Sequence, residues 1–481
     1  MEEKRILIPE GAPVDTLEKY KARGGFQALR KALAVSPEKV IDEIIRAKLR
    51  GRGGAGFPTG IKWEGVRKRR SDDLGFPARK YLVCNASEGE PGTYKDRYLI
   101  QKNPYALIEG ILIGAYAMGV VKAIICIKRV FEKEIAILSR VLDACRNAGY
   151  FGQNLLETGG EFPIEIVTGP DEYLLGEDRA MLEVIEGKPA WPRARGIIPV
   201  DFGLFGQPTC VNNVETLSHV PGIILKGADW FRSIGTDDTP GTTIFTLTGD
   251  VQKPGMYELP MGTPLRTLIE EYGGGVRLDR SLKAVFSGPT NAVIPPAALD
   301  TPLDFGSMRK IPSGLGSGGF TIYDDSACVV KAALNFSRFL AIESCGQCIS
   351  CKTGTGRVTQ RLERLEEGSA TTEDVLAMIE DCQQIKGQGR CFLATEEGIH
   401  VGSLFDQFPT DVAEHVEFGC LNDRRLILPK IKSFDEATRT FLFDEAYFDR
   451  SLEEGRRIYY PTLPEHRPPT LIQIRTEERM R

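Results

Sequence analysis

Cys345-Gly-Gln-Cys348-Ile-Ser-Cys351 places three thiols within one short run of chain. Thiolates at this spacing can occupy three corners of one cubane cluster, and the fourth ligand must then come from elsewhere. The chain therefore has to fold back on itself. Helical patterns over 356–367 and 373–386 supply the return, and Lys386-Gly-Gln-Gly-Arg-Cys391 follows as a glycine-loosened loop. Cys391 is the expected fourth ligand. Cys382 falls on the apolar stripe Val375, Met378, Ile379 and reads as a core thiol instead. Zinc is the rival metal for four thiolates, but zinc sites usually pair two Cys-x2-Cys units, whereas a triplet with a distant single favours iron–sulfur. The remaining cysteines of the eleven are scattered and read mostly as buried thiols. The four histidines, His219, His400, His415 and His466, form no spaced pair, so histidine-based zinc or triad chemistry has little support.

Composition narrows the class further. The net charge of −5 provides no basic field for nucleic acid. The longest apolar stretch, Gly110 to Val121, is too short for a bilayer, which needs about 20 residues, and reads as a buried helix followed by the strand Ala123–Ile127. Met-Glu-Glu-Lys at the start offers no apolar signal region, so a cytoplasmic location is expected, without direct membrane insertion.

Along the chain, Pro37 opens a helix carrying Val40, Ile41, Ile44 and Ile45. Residues 51–235 alternate strands (Tyr81–Cys84, Ala123–Ile127, Pro163–Val167) with helices (103–121, 132–148), an α/β layered pattern. Thr242 to Asp325 reads as a small α+β module. Residues 329–418 are mostly helical. The charged, proline-punctuated stretch from Leu421 reads as an extended tail wrapping some other part.

Gly51-Arg-Gly-Gly-Ala-Gly-Phe-Pro-Thr-Gly60 is dense in residues that lack a Cβ, so its amides can approach a phosphate or a flavin ring. Lys and Ser/Thr are missing after the last glycine, which excludes a Walker A loop, and a helix rather than a strand precedes it. Arg52 and Lys62 add positive charge nearby. Two acidic loops, Asn85-Ala-Ser-Glu-Gly-Glu90 and Tyr173-Leu-Leu-Gly176-Glu177-Asp178, follow strand-like runs, where ligand loops sit in α/β folds. Their carboxylates suit ribose hydroxyls and repel a 2′-phosphate, which favours NADH over NADPH. Val211-Asn212-Asn213-Val214-Glu-Thr216 offers amides and a hydroxyl for phosphate or the polar edge of a flavin.

Four strings, Gly51–Trp63, Asn85–Arg97, Pro208–Thr216 and Glu343–Gly356, together resemble the 51-kDa flavoprotein subunit of respiratory complex I. The diaphorase subunits of NAD-linked hydrogenases and formate dehydrogenases share them. The resemblance runs from about residue 15 to 418. It implies an α/β Rossmann-like flavin/nucleotide domain (1–235), a ubiquitin-like β-grasp (SLBB) module (240–328), a helical [4Fe–4S] domain (329–420) and a tail of no assigned role (421–481). It further implies FMN, NAD(H) and one [4Fe–4S] cluster as cofactors. On matching positions the FMN cradle would include Gly51, Arg52, Gly53, Gly54, Lys62, Asn85, Ser87, Glu88, Tyr173, Gly176, Glu177, Val211, Asn212, Asn213 and Thr216. The NADH side would include Phe57, Glu90, Asp178 and Arg195, with Glu90, Glu177 and Asp178 nearest the chemistry. The cluster ligands would be Cys345, Cys348, Cys351 and Cys391. Electrons would pass to a small [2Fe–2S] subunit and a larger iron–sulfur subunit, with attachment to the cytoplasmic face of the membrane through such partners. The chain departs from the family at Ser87 (usually Asp), Leu175 (often Cys), Asp178 (usually Glu), Ile198 (usually aromatic) and Gly65 (often aromatic). Loss of the rings at 65 and 198 is expected to weaken nucleotide stacking.

Overall fold

The computed structural model describes residues 5–70, 78–151, 162–311 and 313–461; residues 1–4, His466 and the tail beyond 461 lie outside them. Its first sheet is parallel, in the order β3 (Ile164–Gly169), β2 (Val120–Lys128), β1 (Lys80–Ala86), β4 (Thr209–Asn213). Strand side chains alternate between faces. Leu82, Cys84, Ala123, Ile125 and Ile127 pack on one side against the helices Pro104–Met118 and Val214–Lys226. Tyr81, Val83, Ile124, Cys126 and Val211 pack on the other side with Met181 and Leu182 of the helix Asp178–Ile185. Both faces are covered, which is why these strands read as continuous apolar runs.

The apolar stretch Gly110–Val121 divides differently from the sequence expectation. The helix stops at Met118, Gly119 caps it in the left-handed conformation (φ +71°), and Val120 and Val121 already belong to β2. At position 110 an added Cβ would lie 2.0 Å from the Leu217 carbonyl oxygen, so the glycine is what lets the two central helices touch backbone to backbone. The N-terminal region adds short helices, Leu17–Ala22 and Gln27–Leu33, before the expected Pro37–Arg46.

A second sheet, in the order β6 (Gly255–Pro260), β5 (Thr242–Gly249), β8 (Gly319–Asp324), β7 (Leu282–Phe286), has its own core around Phe245, Leu259, Leu268 and Phe320. β5 and β8 are parallel and the outer pairs antiparallel. The helices Val329–Glu343, Ile349–Glu366, Thr372–Gln384, Leu393–Gln407 and Pro409–Phe418 form the third core. None of the described helices is long and apolar enough to cross a membrane.

The described part of the tail is more ordered than the expected extended segment. It forms a hairpin of β9 (Ile431–Asp435) and β10 (Thr440–Phe443), then the helix Tyr447–Glu453. It does wrap, and it touches each of the three cores. Arg424 pairs with Asp250 (2.6 Å) in the second sheet. The Pro429 carbonyl accepts the Gly92 amide (2.8 Å) beside the first sheet. Tyr447 Oη (2.5 Å) and Arg456 Nη1 (2.9 Å) both donate to Glu343 in the helical bundle.

Candidate functional site

In the parallel sheet β1 pairs with β2 on one side and β4 on the other, so the loops leaving β1 and β4 diverge at the edge where α/β folds bind ligands. A cavity of about 830 Å³ opens there. Its floor is the glycine loop at Gly53 and Gly54 and the end of β4 at Asn213. One wall is Asn85–Glu90, another Tyr173–Arg179, and further lining comes from Gly196–Pro199, from Ser313–Ser317 just before β8 and from Cys391–Glu396 of the bundle.

The floor is shaped by backbone. A Cβ on Gly53 would lie 3.2 Å from that of Asn213, and Gly54 takes φ +111° against Gly316. Asn213 caps the helix Val214–Lys226, its Oδ1 accepting from the Glu215 amide at 2.9 Å, so a helix N-terminus points toward the glycine loop. Such an end, bordered by backbone without side chains, favours an anionic group. Behind it Lys95, buried with Asp96 and Glu215 (2.7 and 3.0 Å), supplies a cation that cannot leave.

The acidic walls are held with differing firmness. Glu88 accepts from the Asp96 amide (2.9 Å) and pairs with Arg97 (3.1 Å); burial and Asp96 still raise its pKa. Glu177 caps the helix Asp178–Ile185 through the Arg179 and Ala180 amides, and burial raises it too. Asn85 bridges the walls, donating to the Gly176 carbonyl at 2.8 Å. Glu90 is held on one oxygen only. Ser317 Oγ donates to its Oε2 at 2.5 Å, while the buried Oε1 has no partner. Burial pushes Glu90 up to about 7. Glu396, which the sequence reading did not single out, is buried and pushed up to about 8 by burial and by Glu90; Tyr173 donates to it at 3.3 Å.

Several sequence-selected residues stand behind this wall rather than in it. Arg52 is buried with its guanidinium turned away, donating to the carbonyls of Arg50, Pro240 and Thr242; its amide donates to Thr216 Oγ1 (2.8 Å). Arg52 and Thr216 thus brace the loop. Lys62 donates to the Val211 carbonyl (2.9 Å) and lies 3.8 Å from Asp178. Asn212 turns into the core, accepting from Trp63 Nε1 at 2.8 Å. The Gly51 amide closes the loop onto the Phe57 carbonyl (2.9 Å). Phe57 is half-exposed outside the cavity, and Arg195 donates to the Gly387 carbonyl (2.6 Å). Ser87 lines the cavity and donates to the Cys126 carbonyl, and Ile198 lines it with its side chain exposed. Leu175 faces the sheet core. Gly65 is not in the cavity lining; a Cβ added there would lie 3.0 Å from Val200, the residue after the lining Pro199.

The four selected thiols meet. Cys345, Cys348, Cys351 and Cys391 surround one small cage closed by Pro192, Gly346 and Gly389. The Arg390 amide donates to Cys348 Sγ (3.2 Å), and Ser344 Oγ lies 3.3 Å from Cys351 Sγ. Donors of this kind stabilise thiolate charge at a cluster. Burial pushes Cys391 up to about 12 and Cys351 to about 11. Cys382 lies in the bundle core, 1% exposed, away from the cage. Leu174, Cys391 and Leu393 line both the cage and the large cavity, so one layer of side chains separates them.

Residues 44–222 match the family model of the Nuo51 FMN-binding domain, 244–284 the SLBB domain, and 331–415 the NADH-ubiquinone oxidoreductase-F iron-sulfur binding region. The chain is 41% identical over 416 residues to the NADH-quinone oxidoreductase F 2 subunit of Rhizobium meliloti (strain 1021), covering 86% of this chain and 97% of that protein. It is 39% identical over 399 residues to the NADH-quinone oxidoreductase F subunit of Aquifex aeolicus (strain VF5), covering 83% and 91%. It is 35% identical over 404 residues to the NADP-reducing hydrogenase HndC subunit of Solidesulfovibrio fructosivorans, covering 84% and 81%. Among solved structures, a chain of the NAD+-reducing [NiFe]-hydrogenase in the H2-reduced state superposes with a TM-score of 0.72 at 32% identity, over 83% of this chain and 66% of that one.

Proposed function

The chain belongs to the family of the NADH-quinone oxidoreductase F subunit, and from that premise we propose that it is the electron-input subunit of a multi-subunit complex, oxidising NADH with FMN and passing electrons singly through one [4Fe–4S] cluster. The observation that carries the reading is the single side-chain layer between a nucleotide-sized cavity and a four-thiol cage. The donor set suits both groups. Gly53, Gly54 and the helix end capped by Asn213 fit a phosphate, and Asn85, Glu88 and Tyr173 fit the flavin's polar edge. Bound FMN supplies hydride acceptance at its N5 and a change from two-electron to one-electron traffic.

The protein's own part is placement and charge. Glu90, with one oxygen unpartnered, is the group assigned to the dinucleotide's ribose or carboxamide N–H and O–H donors. Glu88 and Glu177, held as carboxylates by Arg97 and Arg179, place acidic groups at the cavity wall, which disfavours an additional anion on the flavin. The assigned units are 1–235 for flavin and nucleotide, 240–328 for the β-grasp module that roofs the cavity through Ser317, and 329–420 for the cluster. A second reading, a diaphorase within a hydrogenase complex, rests on the HndC and hydrogenase matches; co-purified subunits separate it from the quinone-linked one. Iron–sulfur partner subunits are proposed as acceptors because Cys345–Cys351 is the chain's lone cysteine triplet.

The test is anaerobic stopped flow on protein loaded with FMN and cluster. Rapid bleaching of the flavin band by NADH and slow bleaching by NADPH is expected. A flavin that dithionite reduces but NADH does not would overturn the assignment.

A further inference from the structure

Beyond the cluster cage, three soft donors meet at a second place. The donor atoms of Cys328, His415 and Cys420 all lie within 4.8 Å of one another, and Cys328 Sγ is 3.2 Å from His415 Nε2. The residues come from separate elements. Cys328 is the N-cap of the helix Val329–Glu343, at the exit from β8; His415 is in the last turn of Pro409–Phe418; Cys420 opens the tail. Cys345, the first cluster ligand, follows the far end of that same helix, which with 15 residues spans about 22 Å. The two groups of thiols are therefore distinct sites.

Two features set this apart from an ordinary buried cysteine–histidine contact. First, His415 Nδ1 lies 2.6 Å from the Asp411 carbonyl oxygen. A carbonyl only accepts, so the ring proton sits on Nδ1 and the Nε2 lone pair faces the two sulfurs. A backbone carbonyl fixing one ring nitrogen while the other is free to ligate is the usual support of a metal-bound imidazole. Second, the Lys331 amide donates to Cys328 Sγ at 3.3 Å, which favours sulfur carrying negative charge.

We propose that Cys328, His415 and Cys420 bind one zinc ion through two thiolates and one imidazole. Binding displaces the two thiol protons, and the two thiolate charges neutralise the dication, so a largely buried site gains no net charge. Two sulfurs and a nitrogen suit a borderline-soft cation, not calcium or magnesium. The fourth tetrahedral position is left to solvent, and half-buried Cys420 beside strongly exposed Leu421 provides the route in. The ion's structural effect is to fasten the start of the tail to the junction between the second sheet and the bundle. It thereby fixes where the strap that reaches Gly92 and Glu343 begins.

The test uses the full chain, purified anaerobically with flavin and cluster, incubated with Zn2+ and freed of loose ions by gel filtration. Expected are about one zinc per chain beside the cluster iron, and a zinc absorption edge fitted by two sulfurs at about 2.3 Å and a nitrogen at about 2.0–2.1 Å. Cys420→Ser and His415→Gln should each lower zinc at least tenfold with iron and flavin retained, and Cys345→Ser should lose iron and keep zinc. Cys420 is only half-buried, so its variant is expected to fold whether or not the His415 variant does. Absence of bound zinc in the wild type, zinc that disappears only with Cys345→Ser, or a Cys328–Cys420 disulfide in the zinc-treated protein would each overturn the proposal.

Discussion

Glu343 is the point at which the tail acts on the cavity, and its removal from charge balance has a calculable effect. Its side chain is 1% exposed. It accepts from three donors: Arg456 (2.9 Å) and Tyr447 (2.5 Å) of the tail and the Tyr173 amide (2.9 Å) of the cavity wall. Arg456→Met leaves a buried carboxylate with two neutral donors and no directly paired cation. Breaking a buried pair costs about 3–5 kcal/mol, and the two surviving hydrogen bonds reduce this to roughly 2 kcal/mol. That corresponds to about 30-fold more frequent local opening. Hydrogen exchange at the Tyr173 amide and along the helix Tyr447–Glu453 should accelerate by this factor, while exchange in β1 and β2 stays unchanged. Glu343→Gln in the same chain removes the stranded charge, so the double variant should recover most of the protection, with a coupling of about 1–2 kcal/mol. Exchange at Tyr173 within threefold of wild type in Arg456→Met, or no coupling in the cycle, would refute the account of the tail as an electrostatic clamp.

Three further outcomes are expected. Cys391→Ser should abolish the cluster's iron and its electron paramagnetic resonance signal while NADH still bleaches the flavin, and Cys382→Ser should leave iron content intact; the reverse pattern exchanges their roles. Burial, opposed by the Asn291 carbonyl, holds His400 at about 4, below its unfolded value near 6.5, so the unfolded chain binds the extra proton first. The stability it contributes is complete above pH 6.5 and falls by about 3 kcal/mol as pH drops to 4. The difference between wild type and His400→Gln in urea midpoint across pH 4–7 reads it, and a flat difference would contradict it. Ile198→Phe restores a ring at an exposed position of the cavity wall; at about 1 kcal/mol per aromatic contact, KM for NADH in ferricyanide reduction should fall about fivefold. An unchanged KM would remove position 198 from the nucleotide's surroundings.

What could be read from the chain divides along physical lines. β1 and β2 are covered on both faces, so they announce themselves as apolar runs. β4 does not, because Thr209–Asn213 gives its polar side chains to local work: Asn212 to Trp63 and Asn213 to a helix cap. The four cluster thiols were legible because spacing alone restricts them. The direction of the Arg52 side chain was not, since a cation in a glycine loop suggests a ligand while this one satisfies backbone carbonyls. Glu396 carries no motif; only the fold sets it against Tyr173 and Glu90. Cys328 and His415 stand 87 residues apart, and no local pattern joins them. The tail's hairpin is short, and part of what orders it, such as Phe441 against Tyr94 and Arg97 on the Ile431 carbonyl, lies more than three hundred residues earlier.

The cavity draws its lining from the glycine loop, Asn85–Glu90, Tyr173–Arg179 and Ser313–Ser317, and lastly from Cys391–Glu396. During synthesis the glycine loop and β1 emerge early, but the Cys391–Glu396 wall leaves the ribosome only after most of the protein has been made. A nascent chain therefore presents an open half-site whose glycine loop, Lys95 and Glu88 wait for a bundle that does not yet exist. The full enclosure of the cavity waits for the cluster loop to fold back. A chain ended before Cys391 lacks the fourth thiol of the cage and should hold no cluster iron.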